Sequence, residues 1–257
     1  MKLDHVALAV GDPDPVFRAL AGELGAVPLW GGEPPGKGFR AAQLRMGVDG
    51  MTVEIITPHP SSRDGFLARF LAESGEGPHH LTFKVDDIEA ELERLSDLGF
   101  EPVNADLTNP AWREAFIHPR QSHGTVIQIA QPGYDTPPIS EMVEAALRDG
   151  PFLMAGERWW DPEAVRVGGE PAVLRRVVIR TPDLEAGSAF YGEVLGGRAV
   201  VVDDDRVDVA WKGGTVRLER GSVARPYVDR LEYVGGDGRV RLVGGARLVP
   251  ERRHPSP

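Results

Sequence analysis

Residues 80–103 read HLTFKVDDIEAELERLSDLGFEPV, and the order of residue types in this stretch decides the fold. Leu81, Phe83 and Val85 alternate with His80, Thr82 and Lys84, the period-two pattern of a half-buried strand. Asp86 and Asp87 then suit the N-cap and positive dipole end of an amphipathic helix, and Gly99 suits its left-handed C-cap. The same plan recurs at 5–29, HVALAVGDPDPVFRALAGELGAVPL, and at 176–200, RVVIRTPDLEAGSAFYGEVLGGRAV. In those copies Asp12 and Asp14, or Asp183, precede the helix, and Gly25 or Gly196 ends it.

Two further strand-like runs follow the first copy, FRAAQLRM (39–46) and MTVEIITP (51–58), and two follow the second, REAFIHP (113–119) and GTVIQIAQ (124–131). The repeating unit is therefore β-α-β-β-β. Two units fill residues 1–132, joined by the helical stretch SSRDGFLARFLAES. Residues 133–171 form a linker with a short helix, SEMVEAALRDG, and the pair Trp159-Trp160, which is expected to bury against the N-terminal domain. Residues 172–250 hold a third unit and a shrunken fourth with no helix, and 251–257 form a frayed tail. The fold class is α+β, with paired modules forming a curved, partly open mixed sheet, helices outside, and a degenerate C-terminal half.

Composition narrows the chemistry. With 29 Lys+Arg against 39 Asp+Glu, the formal net charge of −10 disfavours nucleic acid and anionic membrane surfaces as partners. No cysteine is present, which leaves His, carboxylate and amide side chains as the metal donors. The first residues read as a strand and not as a signal sequence, and no window reaches the ~18 apolar residues of a membrane span, so the expectation is a cytoplasmic protein.

Strand parity then sorts the side chains. Val6, Leu8 and Val10 form the face a helix would cover, leaving His5, Ala7 and Ala9 opposite; the same rule puts His80, Glu54 and Gln128 away from the helices. Four strands thus offer one metal-capable residue each to a single cleft. His79 is expected on the helix side, in a core or supporting role. The loop GGEPPGKGF mimics a phosphate loop, but Gly38 stands where the magnesium-binding Ser/Thr would be, so it reads as a loop near the cleft mouth.

The segments DHVALAV, VEIITP, GPHHLTFKVDDIEA and FIHPRQSHGTVIQIAQP resemble, in order and spacing, the vicinal oxygen chelate superfamily of glyoxalases, bleomycin-resistance proteins, extradiol dioxygenases and methylmalonyl-CoA epimerases, the last being most similar. The resemblance covers nearly all of residues 1–132. It implies one divalent metal ion (Zn, Ni, Co, Fe or Mn) held by His5, Glu54, His80 and Gln128. It also implies a metal-dependent lyase or isomerase acting on a small carbonyl or hydroxy-acid substrate through an enediolate, with Glu54 as the catalytic ligand. Non-catalytic sequestration of a small molecule and Fe(II) dioxygenation are the alternatives. His118, Arg120 and His123, beside the seventh strand, are candidate substrate contacts.

The chain departs from the epimerase pattern twice: Gln128 stands where the last ligand is usually Glu, and Ala41 where the other acid/base is expected. Neither side chain exchanges a proton at neutral pH, so epimerisation by two facing bases is not expected. In the C-terminal units Arg176, Arg217 and Arg230 occupy the positions of His5, Glu54 and His80, and no metal is expected there. The helix-poor half needs a cover, either the linker or a second copy of the chain in a homodimer.

Overall fold

The computed structural model describes residues 1–62, 64–154 and 158–251. The expected fraying at 252–257 concerns residues outside that set. The first unit consists of β1 (Lys2–Ala9), α1 (Asp14–Phe17), β2 (Val27–Gly32), β3 (Phe39–Arg45) and β4 (Thr52–Pro58). After α2 (Phe66–Ser74) come β5 (Gly77–Lys84), α3 (Ile88–Asp97), β6 (Val103–Asp106), β7 (Trp112–Ile117) and β8 (Val126–Pro132), the second unit. These strands and β9 (Phe152–Met154) lie in one mixed sheet, in the order β6-β7-β8-β5-β1-β4-β3-β2-β9.

That order follows from the repeat. The first strands of the two units, β1 and β5, are neighbours at the centre, and the last strands, β4 and β8, flank them. The four strands expected to carry ligands are therefore consecutive: β8, β5, β1, β4. The ninth strand, β9 (Phe152–Met154), was not foreseen; it follows α4 (Ile139–Asp149) and pairs in parallel with β2, Trp30 opposite Phe152. Three residues are too few to show a period in the sequence.

The C-terminal half builds a second sheet from β10 (Ala172–Thr181), α5 (Leu184–Ala189), β11 (Arg198–Asp203), β12 (Arg206–Trp211), β13 (Gly214–Arg220), β14 (Tyr227–Gly235), β15 (Arg241–Val243) and β16 (Ala246–Pro250). Its order is β11-β12-β13-β10-β14-β16-β15. The third unit is thus β-α-β-β-β, and the fourth keeps strands alone among the described residues.

The helices carry the predicted punctuation with one exception. Asp87 and Asp183 accept the backbone N–H of Ala90 and Ala186, as N-caps do. Asp12 and Asp14 do not: Pro13 is the N-cap of α1, and Asp12 accepts the N–H of Asp14 in the turn before it. Pro15 in the first turn lacks the N–H that a cap would satisfy. Both α1 and α5 continue as a π-helical turn, Arg18–Glu23 and Phe190–Val194, so the two repeats share a distortion that apolar periodicity does not reveal. Gly25, Gly99 and Gly196 have φ of 64°, 85° and 69°, the left-handed ends expected of them.

The chain groups into two compact units. One contains Met1–Ala7, Pro78–Pro138 and Val177–Asp229; its core holds Phe83 against Trp211, ring centroids 5.1 Å apart, and Phe100 against Phe190 at 5.5 Å. Tyr191, fully buried, donates its hydroxyl to Ser122 O at 3.1 Å, and burial drives its pKa upward. The other contains Leu8–Gly77, Ile139–Arg176 and the chain from Arg230 onward. There the Met51 N–H donates to Leu174 O and the Leu174 N–H to Met46 O, and Phe17 meets Trp160 at 5.7 Å. Trp160 lies so close to β2 that a Cβ on Gly31 would meet its ring at 2.3 Å, which explains a glycine inside that strand. No helix among the described residues is long and apolar enough to cross a membrane.

Candidate metal centre

His5 on β1, His80 on β5 and Glu54 on β4 each offer one ligand atom, and these atoms lie within 4.8 Å of one another. All three residues are buried, at 1%, 6% and 8% exposure. A metal with bonds of ~2.0–2.3 Å spans at most ~4.6 Å between two of its ligands, so the group is close to the size an ion needs. Two imidazoles and a carboxylate also form a recognised donor set for Zn and for non-haem iron. The residues present fit a divalent metal.

Neighbours hold each donor in place. Asp4 Oδ2 accepts from His5 Nδ1 at 2.9 Å, and Lys84 Nζ approaches Asp4 Oδ1 at 2.9 Å. Burial pushes the Asp4 carboxyl up, but its hydrogen bond and attraction to His5, helped by Lys84, outweigh burial and hold it at about 2. A carboxylate on the far nitrogen of a ligating imidazole fixes ring orientation and raises donor strength. His79 Nδ1 lies 2.9 Å from His80 Nδ1. Gln43, directly opposite Glu54 in the β3–β4 ladder, donates from Nε2 to Glu54 Oε1 at 3.2 Å.

Gln128 is also buried, at 7% exposure, and is tied at both ends of its amide. Its Oε1 accepts from Thr82 Oγ1 at 2.5 Å, while its Nε2 donates to Glu114 Oε2 at 2.6 Å. Thr82 Oγ1 also lies 2.8 Å from His5 Nε2. A chain of polar contacts thus runs Glu114–Gln128–Thr82–His5 over β7, β8, β5 and β1.

Asp4, Gln43, Thr82 and Glu114 were not singled out from the sequence. Alternation assigns Asp4 to the face opposite His5, yet its side chain reaches round to the imidazole. Glu114 could have been found from register, since Phe116 opposes Gln128 and Glu114 lies two residues along the same face.

The three expected substrate contacts are not brought into the three-residue group. His118 and Arg120 are exposed in the turn after β7, where the Arg120 N–H donates to His118 Nδ1. His123 adopts a left-handed φ of 45° and packs 5.7 Å from the Phe190 ring. Burial lowers its pKa, opposed by Asp183. Ala41, two residues before Gln43 on β3, is buried.

Residues 4–116, which contain all three members of the group, match the Glyoxalase/Bleomycin resistance protein/Dioxygenase superfamily. An ethylmalonyl-CoA/methylmalonyl-CoA epimerase of Cereibacter sphaeroides is 26% identical over 137 residues, 51% of this chain and 97% of the relative. Among solved structures, a methylmalonyl-CoA epimerase from Mycobacterium tuberculosis shares 27% identity, over 55% of this chain and 91% of that one, with a TM-score of 0.46. A hypothetical protein from Staphylococcus aureus matches 97% of this chain and 98% of its own at a TM-score of 0.63 and 11% identity, a likeness of fold alone. The epimerase relative is thus matched by about half of this chain, and the fold by 97% of it.

Proposed function

We propose that this protein is a metal-dependent enzyme of the glyoxalase and epimerase kind, acting on a small carbonyl or hydroxy-acid substrate with two neighbouring oxygens. The observation that carries the reading is the buried grouping of His5, Glu54 and His80 on adjacent strands. A divalent ion bound there supplies a Lewis acid that stabilises negative charge on the substrate oxygens as the neighbouring carbon loses its proton. Asp4 and His79 orient the two imidazoles. Glu54, the one carboxylate of the group, is the base candidate, its Oε1 held by Gln43. Gln128 serves as the fourth, neutral donor through its amide oxygen, with Glu114 fixing which end of the amide faces Thr82 and His5.

Proton exchange on a methylmalonyl thioester is expected to run about 10² to 10⁴ below that of an enzyme with both carboxylates, because Gln128 and Ala41 cannot exchange protons. Two measurements test the reading: calorimetric titration of chelator-treated protein with Zn²⁺ or Co²⁺, and loss of α-proton signal from small 2-hydroxy and 2-oxo substrates in deuterated buffer. One ion per chain and metal-dependent exchange are expected. Folded protein that takes up no divalent ion defeats the proposal; tight ligand capture without turnover replaces it with sequestration. The same two-His, one-carboxylate set suits non-haem iron, and oxygen uptake with Fe²⁺ alone would move the activity to dioxygenation.

A further inference from the structure

β11 is an edge strand of the seven-stranded sheet, and every residue in it, Arg198 to Asp203, is exposed. Val200, Val201 and Val202 stand at 43%, 74% and 42% exposure. An open edge with three consecutive valines is the surface that sheets ordinarily guard with charge, proline or a cover. The flanking charges form a pattern. In β11–β13 and their turns, Arg206 pairs with Asp203, Arg217 with Asp208 and Arg220 with Asp205. The side chains of Arg198 and Asp204, one at each end of the valine run, make no ion pair or hydrogen bond among the described residues.

We infer that this edge is a homodimer interface, in which β11 pairs antiparallel with β11 of a second copy about a two-fold axis at Val201. Centred there, the register sets Val200 against Val202 of the second copy and Arg198 against Asp204 of the second copy, twice over. The two charges left over in the monomer are the ones brought opposite each other, and no Asp faces an Asp. Centring on Val200 instead sets Arg198 against a valine and leaves the Asp run without a cation. An isologous contact of this kind closes on itself and stops at two copies. The β11–β12 register shifts between Val201 and Asp203, and the bulge keeps the new ladder short. A ladder of this length buries less than the ~1,200 Å² of a standard interface, so the dimer is expected to dissociate on dilution through the micromolar range.

Sedimentation velocity over a concentration series of the full chain tests this. The wild type is expected to shift from monomer to dimer. Val201→Lys, which sets two cations together on the axis, should leave only monomer, and Arg198→Asp should weaken the dimer at least tenfold. Arg198→Asp combined with Asp204→Arg should restore it, because the pair is then reversed in both copies. All substituted positions are exposed, so circular dichroism should be unchanged. A chain that stays monomeric throughout the range overturns the inference. So does a dimer, or any larger assembly, that is indifferent to Val201→Lys and to the charge reversals.

Discussion

The two sheets of this molecule carry the same strand plan and opposite chemistry at corresponding positions. On the nine-stranded sheet the positions hold His5, Glu54 and His80, donors that gather around a site with the size and chemistry of a cation's. On the seven-stranded sheet they hold Arg176, Arg217 and Arg230, each already engaged by a carboxylate. Arg217 makes a two-pronged pair with Asp208, at 2.6 and 2.8 Å. Arg230 reaches Glu232 at 2.7 and 2.9 Å, and Arg176 reaches Glu232 at 3.6 Å and Glu251 at 2.5 Å. A repeat that loses its ligands retains a row of partly buried polar positions, and those groups need partners. Here the second sheet supplies them internally with cation–carboxylate pairs, whereas the first leaves its donors convergent. That difference separates a site from a scaffold more sharply than the fold does.

The largest expected effect breaks the first side of the comparison. His80→Ala or Glu54→Ala should lower Zn²⁺ or Co²⁺ affinity by at least about 100-fold, more than a supporting residue is worth. Arg217→Ala should leave it unchanged. Calorimetric titration of each variant reads both outcomes, and metal affinity that follows Arg217 in place of His80 would reverse the assignment of the two sheets.

The second effect tests the scaffold side. Glu232 is buried at 7% exposure between two arginines, so Glu232→Ala leaves their charges poorly compensated and should cost about 3 kcal/mol of stability. Urea denaturation measures this. A loss under about 1 kcal/mol would show these pairs to be worth no more than surface ion pairs.

Both sides of this contrast were partly legible in the sequence. Period-two alternation located the strands, and strand parity grouped His5, Glu54 and His80, because parity is set by local backbone geometry and survives any packing. What could not be read was the partner of each polar group. Asp4 bonds across the parity rule, Glu114 is found only through register, and Asp208 and Glu232 become partners of arginines only once strands are neighbours. The surroundings of His118, Arg120 and His123 were not legible either: His123 packs beside Phe190 on a left-handed backbone, which nothing in its sequence neighbours announces. The π-helical turns after α1 and α5 are also silent in composition, since a π turn changes the hydrogen-bond partner and not the residue type.

A third expectation sharpens the role of the amide in the first sheet. Gln128 Nε2 donates to Glu114 Oε2 at 2.6 Å, so Gln128→Glu sets two carboxyls together and loses a hydrogen bond to a charged acceptor. Stability at neutral pH should fall by about 1–3 kcal/mol, as read from urea midpoints. Adding Glu114→Gln should recover most of the loss, because the same two groups then exchange places. Failure of that rescue would mean that Glu114 is held by other partners and does not select the amide.

The smallest effect returns to the second sheet and its habit of holding each arginine with a carboxylate. Arg241 donates to Asp237 Oδ2 at 2.7 Å and to Glu23 Oε2 at 2.9 Å. The hydrogen bonds from Arg241 hold the Asp237 carboxyl at about 2, well below the ordinary 3.8. A depressed folded-state pKa means the unfolded chain takes up a proton first as pH falls. The stabilisation from this pair is therefore complete above about pH 4 and is lost as the pH drops through about 2. Asp237→Asn should be less stable than wild type at neutral pH by a small margin. That margin should shrink between about pH 4 and 2, where the wild-type carboxylate is itself being neutralised. Thermal melts of the two proteins at matched ionic strength follow the difference. Parallel acid limbs would show that the exposed Asp237 carboxylate contributes nothing once water and salt screen it, and that Glu23, the Tyr233 hydroxyl and the Arg239 carbonyl hold Arg241 without it.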